Sequence, residues 1–259
     1  MRRALAGLLL AVPLACLATA DVLPPLQDAA AEYARPAASP ARCAAGETVT
    51  LAVALSEGQP LDTTFDAASG RLRIFYRMAF NQITEGWNWH PLDAAAGGDY
   101  YVFKYLPLGS TSEERGMYRA EDKIGTPQEF RVQWRTDYFF AFDNPHDFYP
   151  RGPNDDASFV AEVTLPASEA ERLARGDLRM ALRGHLTANC LSDSTTFWKA
   201  TSAQPVDFTL KKRYLIGVLD EVWFHDAATG RILARVSNAS GDRAPRTARP
   251  APPAPTRSD

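Results

Sequence analysis

The sequence predicts an all-β protein, mostly antiparallel, folded as a two-sheet β-sandwich with one short helix. An open barrel is the second architecture it admits. Three observations lead there. From Glu47 onward, apolar residues recur at every second position, the period of a strand with one buried face. Helical stretches able to cross over between parallel strands are missing from the pattern, so consecutive strands must pair mostly antiparallel. Turn residues also punctuate the strands. Asp66-Ala67-Ala68-Ser69-Gly70 and Asp226-Ala227-Ala228-Thr229-Gly230 each place Asp at a turn start and Gly where φ must be positive, just before an alternating strand. The flanking sequence does not repeat, so the likeness of these two turns reflects shared turn physics rather than duplication.

The elements follow in order. Residues 21–42 hold Pro24, Pro25, Pro36 and Pro40 among alanines and read as an extended lead-in with one helical turn near Leu26–Tyr33. Val49, Leu51, Val53 and Leu55 alternate with Thr48, Thr50, Ala52 and Ala54. Leu72, Ile74, Tyr76 and Met78 alternate with Arg71, Arg73, Phe75 and Arg77, and Tyr101, Phe103 and Tyr105 continue the theme. Phe130, Val132 and Trp134 share one face opposite Arg131, Gln133 and Arg135, then run into an aromatic stretch ending at Phe142. Further strands are expected at Phe159–Leu165, Leu178–Leu186, Val206–Val218, Glu221–Phe224 and Arg231–Val236. Between them, Ser168 as N-cap with Glu171 three residues later forms a capping box, and Gly176 closes a two-turn helix. One domain over residues 43–238 accommodates these strands.

The chain ends carry their own signals. Arg2 and Arg3, an apolar run from Ala4 to Leu17 and the small residues Ala18 and Ala20 form the three parts of a secretory signal peptide over residues 1–20. That run is too short to span a bilayer and Pro13 interrupts it, and no later segment has transmembrane length. Cys16 follows Pro13-Leu14-Ala15, a poor lipoprotein box, so cleavage after Ala20 is expected over acylation at Cys16. Removing Arg2 and Arg3 leaves 26 basic against 31 acidic side chains, a net charge of −5. That balance excludes a nucleic-acid partner, which needs a concentrated positive field. Residues 239–259, rich in Pro, Ala and Arg, cannot bury enough apolar area to offset chain entropy and read as a disordered tail. The remaining cysteines, Cys43 and Cys190, form an even pair in an exported chain and predict one disulfide.

Chemistry is harder to read. The sequence has no nucleophile elbow, zinc-protease helix, phosphate loop, dinucleotide glycines or paired Cys-x-x-Cys, and it implies no cofactor. The four histidines, His90, His146, His185 and His225, sit in unrelated segments and read as surface or structural residues. The polar stretch from Asp143 to Asp156 offers Asp143, His146, Asp147, Asp155 and Asp156 as metal ligands of the oxygen-rich kind that suits calcium. Its spacing fits no calcium loop, and the same residue types make an ordinary long turn. Trp87 and Trp89 share a face if extended and could form a platform for a sugar or peptide, or else pack in the core. Glu85 beside them could act as a glycosidase acid, given a second carboxylate at the right distance. Arg71, Arg73, Arg77, Arg131 and Arg135 would put five guanidiniums on one sheet face if their strands were neighbours, suiting a small anion. Otherwise they pair with carboxylates across strands.

The expectation is therefore a periplasmic or secreted, non-catalytic β-sandwich with a binding or envelope-accessory role toward a glycan, peptide or small anion. The rival is a cell-envelope glycan hydrolase using Glu85 or a His-Asp pair.

Overall fold

The computed structural model describes residues 21–38, 43–55, 61–77, 104–121, 125–142, 144, 148 and 158–238, with the Arg77 side chain outside that set. These residues form two sheets that do not close into a barrel, an all-β sandwich. The elements are α1 (Ala29–Ala37), β1 (Thr48–Val53), β2 (Asp62–Asp66), β3 (Arg71–Arg77), β4 (Lys104–Glu121), β5 (Pro127–Phe142), β6 (Ser158–Thr164), α2 (Ala167–Arg172), β7 (Leu178–Trp198), β8 (Val206–Asp226) and β9 (Ile232–Ser237). The large sheet has the order β1-β7-β8-β5-β4, with β9 also on β8, and the small one the order β2-β3-β6.

Every pairing is antiparallel except β5 with β8, which run parallel from Arg131↔Val206 to Phe142↔Gly217. The chain leaves β5, builds β6, α2 and β7, and returns as β8. This long connection is what a parallel pair requires. The two hairpins β4–β5 and β7–β8 are thereby zipped into one four-stranded ribbon. At the opposite end of the sheet, the Ala54 amide donates to the Pro107 carbonyl at 2.8 Å, so β1 curls round to meet β4 at one point.

The alternating residues face one core. Val49, Leu51 and Val53 of β1, Leu72, Ile74 and Tyr76 of β3, Phe140 and Phe142 of β5, Phe159 of β6 and Leu182 of β7 all pack in it. Gly184 and Gly217 let the Phe140 ring lie directly on the sheet. A β-carbon on either would sit 2.7 or 2.8 Å from Phe140 Cζ. Cys43 and Cys190 form the expected disulfide, with Cα atoms 5.6 Å apart. Cys190 lies where β7 bulges, because Leu186 pairs with Gly217 and Leu191 with Leu215.

Five details differ from the sequence reading. The strands expected at Val206–Val218 and Glu221–Phe224 are one, β8, which carries on through a bulge at Asp220. The lead-in is helical over Ala29–Ala37, because the Asp28 carboxylate caps the Ala31 amide at 2.8 Å and Pro36 falls in the last turn. Its Tyr33 packs edge-on against Tyr138 of β5. Ser168 is not an N-cap: α2 begins at Ala167 after Pro166 and has no side-chain cap, although Gly176, at φ 134°, does turn the chain toward β7. Strand β2 was not expected. Finally, β4 and β7 run far beyond their alternating parts. Residues Ser110–Glu121 are all exposed, so neither face of β4 needs to be apolar there and the period-two signal vanishes.

Among the described residues no helix is long and apolar enough to cross a membrane.

Candidate functional site

Beyond the core, the ribbon continues from the Phe140↔Leu215 level to the Arg131↔Val206 level. Nine residues at about 3.3 Å each carry it roughly 30 Å. The Arg131 amide donates to the Pro205 carbonyl at 3.0 Å, and the Gln128 side-chain amide to the Ser202 carbonyl at 3.1 Å, so the two hairpin ends lie side by side.

Directly opposed residues share a face, which sorts the ribbon into two surfaces. On one, Trp134 stands between Glu113 of β4 and Thr209 of β8, with Phe197 of β7 beyond. Strand β4 bulges at Arg115, which brings its guanidinium 4.2 Å from the Trp134 ring centroid. The Lys211 ammonium approaches the same ring to 3.9 Å. Tyr118 stacks on Phe130, and its hydroxyl donates to Asp207 at 2.9 Å, a bond to a carboxylate that raises the phenol's pKa. On the other surface Trp198 packs on Phe208, beside Gln133 and Glu114. Four large apolar side chains face solvent, Phe197 (58% exposed) and Tyr118 (38%) on the first surface and Met117 (61%) and Trp198 (46%) on the second.

The strands that carry the five arginines are not neighbours. Arg71, Arg73 and Arg77 lie on β3 of the small sheet, Arg131 and Arg135 on β5 of the large one. Arg71 pairs with Glu162 at 3.8 Å, Arg73 stands opposite that same glutamate in the ladder, and Arg135 pairs with Asp137 at 2.7 Å. Arg131 is exposed between Met117 and Val206. Trp87, Trp89, Glu85 and His90 lie outside the described residues, as do Asp143, His146, Asp147, Asp155 and Asp156. Asn144, within that polar stretch, clamps a bulge of β8, donating to the Leu219 carbonyl and accepting from its amide, both at 2.9 Å. Among the described residues no three His, Cys, Asp or Glu side chains group to hold a metal.

Among the described residues one His-Asp side-chain pair is present: His185 Nδ1 lies 3.0 Å from Asp220 Oδ1, with both side chains about a third exposed. His225 is buried. Sequence reasoning placed Trp134 with the apolar face of β5 but missed its cationic flanks and the whole distal end of β7. The adjacent Phe197 and Trp198, after a run of Ser and Thr, were the available signal. No family model matches this chain, and no curated protein and no solved structure is significantly similar to it.

Proposed function

We propose that this is an exported, non-catalytic binding protein of the cell envelope, periplasmic or secreted, and that the distal ribbon carries its binding surface. One observation supports the reading. Of six exposed large hydrophobic side chains among the described residues, four sit on the distal strands, and two of these, Tyr118 and Phe197, share the Trp134 surface while Met117 and Trp198 lie on the opposite one. Single exposed apolar residues are ordinary, whereas a cluster implies a partner. The Trp134 surface offers rings together with the hydroxyls of Thr111, Thr136 and Thr195. Its charges balance, with Glu113, Asp193 and Asp207 against Arg115, Lys211 and Arg213. Rings and hydroxyls without net charge suit an uncharged glycan better than a small anion.

Thermal-shift titration of residues 21–259 with neutral polysaccharides tests this, with acidic glycans, phosphate and sulfate as comparators. A ligand at a hundredfold excess over its Kd stabilises by about 2.7 kcal/mol, which corresponds to roughly 5–10 °C in a domain of this size. Tyr118→Ala with Phe197→Ala, both on the Trp134 surface, should abolish the shift. A response to none of these ligands, or an undiminished response in the double variant, sinks the proposal.

The His185–Asp220 pair favours a second reading, a hydrolase with His185 as general base. Release of reducing sugars that disappears in His185→Ala would establish it in place of the first.

A further inference from the structure

We propose that the seam joining β8 to β9 and the amino-terminal strap, residues 21–27, is an acid-sensitive latch with His225 as its trigger. The imidazole is buried near the end of β8, with Arg179 of β7 opposite it on one side and Ile232 of β9 on the other. Its Nδ1 is shielded from solvent and has no hydrogen-bond partner among the described residues.

The charged groups around it are all committed. Arg179 donates to the Gly176 and Leu178 carbonyls, which holds a cation beside the ring. Asp226, the next residue, already accepts from Arg172, from the Ala228 amide and from the Thr229 hydroxyl. Arg172 also binds Asp177, and Arg231 pairs with Glu169. On β9, Arg235 is bound to Asp21 and to Glu221. A second proton on His225 would therefore place a cation near Arg179, with no free carboxylate to receive its N–H. Burial depresses the imidazole pKa; a hydrogen bond to the Asp226 backbone and the Asp226 charge oppose this, Arg179 adds to it, and burial prevails.

The sign follows from linkage. A histidine whose folded-state pKa is depressed contributes stability that is complete above its unfolded value, about 6.5. That stability is lost as pH falls toward the folded value.

What would loosen is specific. The Ile232 amide donates to the Asp21 carbonyl and the Leu23 amide to the Gly230 carbonyl, each at 2.8 Å, so the strap is laid on the β8–β9 turn. Strand β9 also packs against β6, and it is thus a link between the two sheets.

Hydrogen exchange on the mature chain at pH 7.5 and 5.0, corrected for intrinsic rates, reads the latch. Protection at Leu23, Ile232 and the rest of β9 should fall in acid, about tenfold if the imidazole pKa lies one unit below 6.5 and at most about thirtyfold at pH 5.0 however low it lies. Protection in β1 and the centre of β7 should change less. His225→Phe should remove the acid response and His185→Gln should keep it. Should His225→Phe not fold, an NMR titration of the wild-type His225 ring decides instead. A ring titrating at or above 6.5 overturns the latch, as does a response that survives His225→Phe or disappears in His185→Gln.

Discussion

Arg172 and Asp226 are joined by a pair of bonds, Nη2 to Oδ2 at 2.6 Å and Nη1 to Oδ1 at 3.0 Å. The Asp226 side chain is almost wholly buried, and the same carboxylate organises the β8–β9 turn through Ala228 and Thr229. Asp66 plays the same turn role between β2 and β3, binding the Ala68 amide and the Ser69 hydroxyl, but it is exposed. Two nearly identical words in the sequence thus make the same turn, and only one of them anchors a helix.

Asp226→Ala should therefore destabilise by about 1–3 kcal/mol, since it leaves three donors without their acceptor. Asp66→Ala should cost less, because water can replace the lost partner. The Arg172 guanidinium also holds the Asp226 carboxyl well below the usual carboxylate range. Its contribution is complete above about pH 4 and is lost as pH falls through the depressed folded-state value. Urea midpoints of both variants at pH 7 and pH 3 check the difference. Equal losses for the two aspartates would refute it.

Gly184 and Gly217 should resist enlargement. A β-carbon on Gly184 would lie 2.6 Å from the Val218 carbonyl oxygen, and one on Gly217 would lie 2.5 Å from that of His185. Both contacts are with backbone and cannot be relieved by a rotamer change. Alanine at either site is expected to cost about 1–3 kcal/mol. Trimming Phe140 to Leu should recover only part of that, because the carbonyl contacts remain. Full recovery in the double variant would show the ring to be the sole obstacle.

Breaking the Cys43–Cys190 bond frees a loop with ends 147 residues apart. Chain entropy alone sets the loss at about 5 kcal/mol. Non-reducing peptide mapping should find one cross-linked fragment, and the double Ser variant should melt well below the wild type. Full alkylation of both thiols in unreduced, denatured protein would contradict the bond.

The two ends of the chain should behave differently. Removing residues 21–27 deletes the amide and carbonyl contacts to Gly230, Ile232 and Thr50, so the melting temperature should fall by several degrees. Removing residues 241–259, which the composition marks as unable to join a core, should leave it unchanged. Calorimetry of the two truncations is decisive, and equal effects would refute the distinction.

Much of the sheet was legible because its signals are local. The alternation of Val49-Leu51-Val53 and of Leu72-Ile74-Tyr76 states directly which side chains face the core, and all six are buried. The Asp-to-Gly turns at 66–70 and 226–230 carry their own geometry, with Gly70 and Gly230 at φ 68° and 69°. The even pair of cysteines found each other. Composition and period therefore determined the fold class, the inward faces, the two turns and the covalent tie.

Which strands become neighbours is a long-range matter that no window of sequence contains. Only the tertiary structure separated Arg71 and Arg73 from Arg131 and Arg135 by placing β3 and β5 in different sheets. Only the antiparallel ladders with β5 and β8 reveal that Ser110–Glu121 and Leu191–Trp198 are strand, because their hydrogen bonds come from those partners and neither face is deeply buried. The parallel β5–β8 pairing then gathered Trp134, Arg115, Lys211 and Phe197, residues from four strands, onto one surface. Burial writes a period into sequence, whereas an exposed strand held by its neighbours writes none, and Arg115, Tyr118 and Phe197 of the candidate site lie on strands of the second kind.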